Sequence, residues 1–269
     1  MARAVDLVRE DLRELGTAVH DAAGRPTEPF GVYAVRAEAA ESELARAVER
    51  TVFDEFFGNS AELLASEYGT YEPSTLFFCV LDHRRKLPAG MMRLVLPSPR
   101  GLKSLGDMEH AWGVRLDQVL ARTELELVTE QVWDIATIAV AADYRGKATD
   151  GLVSLALYQA VVQAARRCGA RWFVTILDLT VLDLIQGLTS APFHRFAGVE
   201  PREYLDSPAS VPVYCDLAEY LPRLAAADPS MHEILGDGRG LEAAVRPPEW
   251  APVLAAAGRT ELAEDALRR

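Results

Sequence analysis

Lysine is scarce in this 269-residue chain, and positive charge is in deficit overall. Only Lys86, Lys103 and Lys147 are lysines among the 28 basic residues, against 40 acidic residues, so the formal net charge is −12. This charge argues against unaided nucleic-acid binding, because such binding depends on neutralising phosphates. Any anionic ligand must therefore find a local positive site. Few lysines and abundant alanines are typical of a GC-rich, bacterial genome.

Cysteine, long apolar runs and a signal sequence are also lacking. Cys79, Cys168 and Cys215 are odd in number and far apart, with no CxxC spacing, so the sequence predicts buried thiols and neither a disulfide framework nor a metal site. No run reaches the roughly 18 apolar residues that cross a bilayer. The N-terminal MARAVDLVREDLRELG is interrupted by acids and has no apolar signal core. We therefore expect a cytoplasmic protein with no membrane span.

The residues that are present indicate one large mixed α/β domain with helical extensions. Hydrophobic residues make up 49% of the chain and charged residues 25%, which is typical of globular proteins. Apolar spacing predicts helices over 3–18 and 38–57 and a strand over 31–37. The runs at 74–82 and 89–98 surround a charged turn and predict a hairpin. Residues 99–130 predict an irregular connection with short helices.

The segment 131–177 predicts one β-loop-α-β unit. Residues 131–141 are β-branched and apolar, 151–169 form a helix that is apolar on most sides, and 171–177 form the next strand. Arg166, Arg167 and Gly169 are typical of a helix C-terminus. The two strands should be parallel, with a right-handed crossover. A short helix near 179–188 and a last strand at 210–216 follow, and residues after 217 predict a helical extension broken at 246–250.

The loop at 143–151, DYRGKATDG, is the most informative stretch of the sequence. Consecutive N–H groups in such a loop, together with the N-terminus of the next helix, form an anion site. Arg145 and Lys147 would strengthen that site for a pyrophosphate. The alternative is an ordinary strand-to-helix turn in which Thr149 or Asp150 caps the helix.

The order of these elements and motifs resembles the GNAT superfamily of acyl-CoA-dependent N-acyltransferases. IAVAADYRG is similar to the end of the family's fourth strand and the start of its (Q/R)-x-x-G-x-(G/A) loop, with Arg145 and Gly146 matching. Ala148 stands where a glycine is common, and Asp150 with Gly151 suggests a one-residue insertion. FHRFAGV at 193–199 is similar to the family's F-Y-x-x-x-G-F segment, with His194 in place of the tyrosine. The resemblance covers residues 28–216.

Within that superfamily, the acyl-homoserine-lactone synthases and long-chain N-acyl amino acid synthases look closest. ERTVFDEFFG at 49–58, RLVLP at 93–97 and WDIATIAV at 133–140 are similar to that branch's Val-Phe helix, R-L-x-P strand and W-E-x-x-R-x-A-V strand. Asp134 replaces the family's glutamate and Thr137 its arginine. The resemblance implies acyl-thioester chemistry, with acyl-CoA or acyl-phosphopantetheine on an acyl carrier protein as the donor.

The resemblance also implies a fold, domain bounds and a donor site. The fold would be a central twisted mixed sheet of six or seven strands flanked by helices, over 28–216, with helical extensions at 1–27 and 217–269. The apolar half of the second extension should be buried on the core or in a homodimer. The implied donor-binding residues run from the fourth strand into the loop: Ile138, Ala139, Val140, Arg145, Gly146, Lys147, Ala148, Thr149, Asp150 and Gly151. Main-chain N–H groups near Ala139 and Val140 would hold the thioester carbonyl oxygen.

Asp134 is the candidate general base. Strand alternation places Val132, Asp134, Ala136, Ile138 and Val140 on one face, so apolar neighbours should raise the carboxyl pKa toward the working range. The alternative is a structural aspartate that pairs with an arginine or accepts from backbone donors.

The leaving thiolate needs a proton or a hydrogen-bond donor, and two residues are candidates. His194 is one by its position in the motif and Tyr158, on the long helix, is the other. His194 could equally be a partly exposed loop histidine. Glu109 and His110 could line the acceptor pocket or lie in a solvated loop. The aromatic cluster Phe53, Phe56 and Phe57 could form core or an acyl-chain pocket.

Three functions therefore remain open at the level of sequence. The first is an N-acyltransferase that acts on the amine of a small molecule or amino acid. The second is a non-catalytic GNAT-like module that binds an acyl thioester or serves in an assembly. The third keeps the fold and changes the chemistry, for example to thioester decarboxylation.

Overall fold

The computed structural model describes residues 9–267, with side chains up to residue 264 in the last helix. The first predicted helix is α1, and residues 3–8 of that prediction lie outside the described residues. The helices are α1 (Arg9–Ala22), α2 (Ser42–Phe57), α3 (Ala61–Tyr68), α4 (Lys103–Trp112), α5 (Leu116–Thr123), α6 (Leu152–Cys168), α7 (Leu179–Thr189), α8 (Leu217–Ala227), α9 (Pro229–Leu235), α10 (Trp250–Ala256) and α11 (Thr260–Leu267).

The strands form one mixed sheet in the order β6-β8-β5-β4-β3-β2-β1-β9, with β7 paired to β8. They are β1 (Phe30–Arg36), β2 (Thr75–Asp82), β3 (Leu87–Val95), β4 (Val132–Val140), β5 (Trp172–Asp178), β6 (His194–Arg195), β7 (Arg202–Tyr204), β8 (Ser207–Asp216) and β9 (Val245–Arg246). The expected number of six or seven strands was too low. Six strands have seven residues or more, and the others have only two or three, too short to show a periodic pattern.

The region after residue 217 is not purely helical, which corrects the sequence prediction. β9 pairs in parallel with β1, and Phe30 N donates to Ala244 O at 3.0 Å. Leu217, Leu235 and Val253 belong to the same buried core as α6. The apolar half of this region is thus buried on the chain's own core, one of the two expected outcomes.

The predicted β-loop-α-β unit is confirmed. β4 and β5 are parallel neighbours joined through α6, and α6 ends at Gly169 in the left-handed conformation with φ 74°. Pairing between the two strands extends only from Val132↔Trp172 to Asp134↔Val174. β5 continues to pair with β8 as far as Asp178. The C-terminal halves of β4 and β5 therefore lie side by side without pairing.

A β-bulge in β4 overturns the predicted shared face. Arg93 pairs with Thr137 and Leu94 with Ile135, so Ala136 is an extra residue between two pairs on β3. Before the bulge, Val132 and Asp134 lie on the side of α4 and α5, whereas beyond it Ile138 and Val140 pack in the core under α6. Simple alternation fails because a bulge inserts one residue and reverses the faces that follow.

No helix in the described part of the chain is both long enough and apolar enough to cross a membrane. The three cysteines are buried thiols.

The sheet lies between two helices. α2 covers one face of the sheet at β2, β3 and β4, and α6 covers the other.

Candidate functional site

A cavity of about 1030 Å³ begins where β4 and β5 separate. Its wall is formed by the C-terminal halves of both strands, the loop after β4, the start of α6, α7 and the end of α2. The turn between β7 and β8 and the residues Tyr220 and Leu235 complete it. The volume is at the upper end of the range of small-molecule sites, about 300–1000 Å³. The cavity is the candidate functional site.

The loop after β4 offers main-chain N–H groups to this cavity. Gly146, Lys147, Asp150, Gly151 and Ser154 all line it, and their N–H groups find no acceptor among the residues that the structure describes. Asp150 and Gly151 both have left-handed φ values, 49° and 77°, so the chain turns sharply just before α6. The loop can therefore bind an anion at the start of α6.

The alternative prediction, in which the side chain of Thr149 or Asp150 caps α6, is wrong about the cap. Gly151 is the N-cap residue of α6, and no side chain caps the helix. Thr149 instead donates its hydroxyl to Tyr144 O at 2.8 Å, which braces the loop. At the start of α6, Leu152 N donates to Thr149 O and Leu155 N to Gly151 O, so the N–H groups of Val153 and Ser154 are the ones left available to a ligand.

The two loop cations differ in availability. Arg145 donates from Nε to Val140 O at 2.7 Å, and its two terminal nitrogens lie 3.0 and 3.1 Å from the Glu55 carboxylate. Its guanidinium also lies 4.7 Å from the centre of the Phe56 ring. Lys147 is exposed and has no ion-pair partner within the described chain. Lys147 is therefore the cation that a bound anion would meet.

The edge of β4 that faces the gap carries two free N–H groups. Ala141 N donates to Ala89 O at 2.9 Å, and Gly90 is opposite Val140. Because N–H directions alternate along a strand, Ala139 points its N–H toward β3, while Ile138 and Val140 point theirs into the gap. The donors to a carbonyl oxygen would be Ile138 and Val140 rather than Ala139 and Val140.

The inner part of the cavity is apolar. It runs between α6 and β5 past Val161, Phe173 and Leu177, and it ends at Cys215, Tyr220 and Leu235. Lining residues on β5 extend from Phe173 to Asp178, so the cavity as a whole follows this strand for about 17 Å at about 3.3 Å per residue.

The aromatic cluster at the end of α2 lies at the mouth. Phe53, Phe56 and Phe57 all line the cavity, and Phe53 also packs on the core beneath α2. Phe56 is 59% exposed, a large fraction for a phenylalanine. The cluster thus serves partly as core and partly as cavity wall.

Tyr158 is the catalytic candidate that the structure places on the cavity wall. Its hydroxyl has no hydrogen-bond partner among the described residues. Burial raises the pKa of Tyr158 to about 12. The hydroxyl therefore stays protonated and can donate a hydrogen bond to a ligand.

Asp134 lies behind the cavity wall instead of in it. Its side chain is fully buried and accepts hydrogen bonds from Ser104 N and Ser104 Oγ, both at 2.6 Å. Burial raises the pKa of Asp134 to about 6, although the hydrogen bonds from Ser104 act in the opposite direction. The raised pKa was expected, but the geometry is that of the structural alternative, and a role as base stays a prediction.

The structure does not bring His194, Glu109 or His110 to the cavity. His194 packs its ring against Tyr214, with 5.4 Å between centroids, and lies on the two-residue strand β6. Glu109 accepts from Leu116 N at 2.9 Å, and His110 is exposed on α4. Glu109 thus holds the connection between α4 and α5, and His110 faces solvent, so neither lines the cavity. A catalytic role for His194 stays a prediction that its position does not support.

A buried ionic network behind Thr137 was missed at the level of sequence. Arg93, 2% exposed, contacts Glu49 at 2.6 and 2.9 Å and Glu72 at 2.8 Å. Burial alone would lower the pKa of Arg93, but the two carboxylates outweigh it and raise the pKa. Thr137, on the cavity wall, donates its hydroxyl to Glu49. The R-L-x-P motif was the available signal, yet its partners lie on distant segments.

Comparison with known proteins shows a likeness of fold and not of sequence. The sequence matches no protein-family model and no curated protein. FeeM, an N-acyl amino acid synthase from uncultured soil microbes, superposes with a TM-score of 0.55 and 14% identity, over 74% of this chain and 97% of FeeM. BjaI, a CoA-dependent acyl-homoserine lactone synthase solved with MTA, gives 0.52 and 18%, over 87% and 99%. The predicted GNAT fold is confirmed.

Proposed function

We propose that this GNAT-fold protein is an N-acyltransferase that moves an acyl group from an acyl thioester to the amine of a small molecule or amino acid. One observation carries the proposal: a single cavity joins an anion-binding loop, two free N–H groups at the β4 edge and a long apolar arm. These match in order the pyrophosphate, the thioester carbonyl and the acyl chain of an acyl-CoA. FeeM and BjaI, both acyl-transferring synthases by name, have the same fold.

The residues present fit coenzyme A. Phosphate groups bind at helix N-termini because the helix dipole and the free N–H groups both favour negative charge. Lys147 adds a cation at that point, and the open loop leaves room for a diphosphate. An acyl-phosphopantetheine on a carrier protein would bring one phosphodiester and no adenosine, and would use less of this loop.

The chemistry follows from the positions of the donors. A neutral amine attacks the thioester carbonyl carbon, and the carbonyl oxygen gains negative charge beside the N–H groups of Ile138 and Val140. Each such donor contributes about 10²–10³ in rate, as judged from oxyanion sites. The C–N bond forms, the C–S bond breaks, and one amine proton ends on the sulfur. An amide and a free thiol result.

Tyr158 stabilises the leaving thiolate as a hydrogen-bond donor. The pKa of its phenol, about 12, lies well above the value of about 8.5 typical of a thiol, so proton transfer from the phenol to the thiolate is uphill. The proton on sulfur must therefore originate from the amine. The pKa of Asp134, about 6, suits a proton acceptor near neutral pH. Its carboxylate lies behind the cavity wall, so its role as the base stays a prediction from the sequence.

The inner arm favours an acyl chain much longer than acetyl. The cavity follows β5 for about 17 Å and its lining is mainly apolar, so a two-carbon group would leave it largely unfilled. Burial of each additional methylene in such an arm contributes about 0.8 kcal/mol. The donor is therefore proposed to be a medium- or long-chain acyl thioester.

Binding of the donor is tested by thermal unfolding. At a hundred times its Kd, coenzyme A should stabilise the fold by about 2.7 kcal/mol and raise the Tm by about 5–10 °C. Lys147→Ala should reduce this shift in a salt-dependent way. Arg195→Ala removes an exposed charge outside the cavity and should leave it unchanged.

Acyl transfer is tested by measuring the free thiol released from acetyl-, octanoyl- and palmitoyl-CoA when each of the twenty standard amino acids is offered as the free acceptor. Thiol release that depends on an amine, with formation of the amide, supports the proposal. Absence of both a Tm shift and thiol release with CoA and carrier-protein donors would refute it.

A non-catalytic module is the second candidate, and the placement of Asp134 and His194 outside the cavity favours it. This reading predicts that acyl-CoA raises the Tm while its thioester survives. Carbon dioxide release from malonyl-CoA would instead indicate thioester decarboxylation.

A further inference from the structure

The cavity reaches both faces of the sheet at the gap between β4 and β5, and the two sides differ. On one side, Phe173 and Leu177 of β5 pack with α6 and α7 and line the inner apolar arm. On the other side, Val174 packs with α4 and α5. Side chains alternate along a strand, and β5 pairs with β8 without a bulge as far as Asp178. Asp178 therefore points to the side opposite the inner arm.

Asp178 lies across the gap from the free N–H groups of β4. The last pair between the two strands is Asp134↔Val174, and four residues further along β5 the chain reaches Asp178. The same advance along β4 reaches residues 138–140, which carry the two free N–H groups. Paired strands are about 4.8 Å apart, and these two have separated, so a small acceptor can lie between them.

The carboxylate of Asp178 is ionised and can reach a ligand. Its side chain is partly exposed and lines the cavity. Oδ1 accepts from Thr180 N and Oδ2 from Ser207 Oγ, both at 2.8 Å. Burial raises the pKa of Asp178, but these hydrogen bonds outweigh it and lower the pKa below its usual value. A carboxylate has about four acceptor positions, so two remain for a ligand.

The other charges of the cavity lie elsewhere. Four charged residues line it within the described part of the chain: Arg145, Lys147, Asp150 and Asp178. The first three belong to the loop that would bind the phosphates of the donor. Arg93 and Lys103 lie behind the wall, 2% and 3% exposed, and each is bound to two carboxylates. A positive group of the acceptor would thus meet a matching charge at Asp178, whereas a carboxylate would meet a like charge.

We propose that Asp178 binds a second ammonium group of the acyl acceptor, so that the preferred acceptor is a diamine. This inference rests on the proposed function. The first amine, in its neutral form, attacks the thioester carbonyl carbon and becomes the amide nitrogen, and the thiol leaves as before. The second amine stays protonated and takes no part in the bond changes. Ser210 Oγ donates to Ser207 Oγ at 2.8 Å, which helps to orient the hydroxyl that holds the carboxylate.

The ionisation of Asp178 favours charge recognition over proton transfer. A general base works best when its pKa is close to the working pH. The pKa of Asp178 lies below the usual value of an aspartate, so its carboxylate attracts a cation and is a poor acceptor for the proton of the attacking amine.

The first test uses three acceptors of equal chain length that differ in the charge of the far end. They are 1,4-diaminobutane, 4-aminobutan-1-ol and 4-aminobutanoate, with octanoyl-CoA as donor. Wild type should use them in that order, and kcat/KM for the diamine should exceed that for the amino alcohol by about tenfold, the factor expected for one charged hydrogen bond. Asp178→Asn should abolish most of this ratio. The Tm shift with coenzyme A should be unchanged.

The variant is conservative and has a matched control. An asparagine can accept from Thr180 N through its oxygen and donate to Ser207 Oγ through its NH₂, and it is a good N-cap for α7. Asp183→Asn removes the same charge from the exposed side of α7 and should leave the ratio unchanged.

Salt provides a measurement on wild type alone, which keeps the test decisive if Asp178→Asn does not fold. A higher salt concentration screens the attraction between the ammonium group and the carboxylate. It should therefore raise the KM for 1,4-diaminobutane more than the KM for 4-aminobutan-1-ol.

The outcomes separate this inference from the proposed function. A wild type that prefers 4-aminobutanoate, a ratio that Asp178→Asn leaves unchanged, or an equal effect of salt on both KM values would overturn the role of Asp178 and leave the acyltransferase intact. A wild type that binds coenzyme A and transfers nothing to these amines or to any amino acid would refute both.

Discussion

Asp134→Asn is the substitution that most directly separates structural from catalytic roles. The carboxyl is fully buried and accepts two hydrogen bonds from Ser104. An asparagine can keep both contacts, since its oxygen can accept from Ser104 N and its NH₂ can donate to Ser104 Oγ. The substitution therefore removes a buried charge without removing its partners.

The magnitude follows from the pKa of Asp134, which burial raises from 3.8 to about 6. Because the native carboxyl binds its proton more tightly than the unfolded one, its contribution to stability is complete below pH 4 and is lost as the pH rises through 6. A shift of about two units corresponds to about 3 kcal/mol. Relative to wild type, Asp134→Asn should gain about 3 kcal/mol in the free energy of unfolding between pH 4 and pH 8.

Urea unfolding of both proteins across that pH range measures the difference, and Asp183→Asn on the exposed side of α7 is the control. A constant difference between wild type and Asp134→Asn would refute the burial argument. If Asp134 is also the base, turnover of the variant should fall by about 10² or more. Unchanged turnover from pH 6 to 9 would make the residue purely structural.

Three further predictions concern other parts of the site. Tyr158→Phe should lower kcat by about 10- to 100-fold with an acyl-CoA, and the loss should be smaller with a thioester whose leaving thiol is more acidic. An equal loss with the two thioesters would contradict the role of Tyr158 as a hydrogen-bond donor to the thiolate. Leu235→Ala should shift kcat/KM toward longer acyl-CoA chains by enlarging the inner end of the cavity, whereas an unchanged profile would place the chain elsewhere. Arg93→Met should lower the free energy of unfolding, measured in urea, by about 3–5 kcal/mol because it leaves the buried Glu49 carboxylate without its cation. Adding Glu49→Leu should recover most of that free energy.

The long elements could be predicted from the sequence because their signals are local. The hairpin of β2 and β3, the strand β4 and the helix α6 each carry their own pattern of apolar residues and end signals. Gly169 is an example: its left-handed conformation and its hydrogen bonds to the last turn of α6 are what a glycine after two arginines indicates. Parallel pairing of β4 with β5 is then expected because the long helix α6 connects the two strands as a crossover.

The bulge and the short strands could not be predicted in this way. Ala136 is an extra residue only with respect to β3, so the bulge is a property of a strand pair and not of either sequence. β9 has two residues and pairs with β1 from the far end of the chain. Without the bulge, alternation predicts that Asp134 shares a face with Ile138 and Val140 and so lies beside the cavity. With the bulge, Ile138 and Val140 lie on the opposite face from Asp134.

The site residues that were missed depend on contacts between distant segments. Asn59, which lines the cavity, meets Asp206 across 147 positions of sequence, and Thr137 meets Glu49 across 88. The single asparagine was visible in the composition, but nothing near it in sequence indicates its partners. Arg93 likewise belongs to a recognisable motif while its two carboxylates come from α2 and from the turn before β2.

The separation of β4 from β5 explains why the two strand-edge donors of the proposed reaction face the cavity. Paired strands would consume the N–H groups of Ile138 and Val140 in a ladder, and no ligand could use them. The bulge at Ala136 turns β4 just before these residues, and β5 satisfies its own backbone against β8. The gap therefore leaves two fixed donors facing a cavity. Donors already in position need no rearrangement as charge develops on a carbonyl oxygen, so they favour the transition state over the ground state.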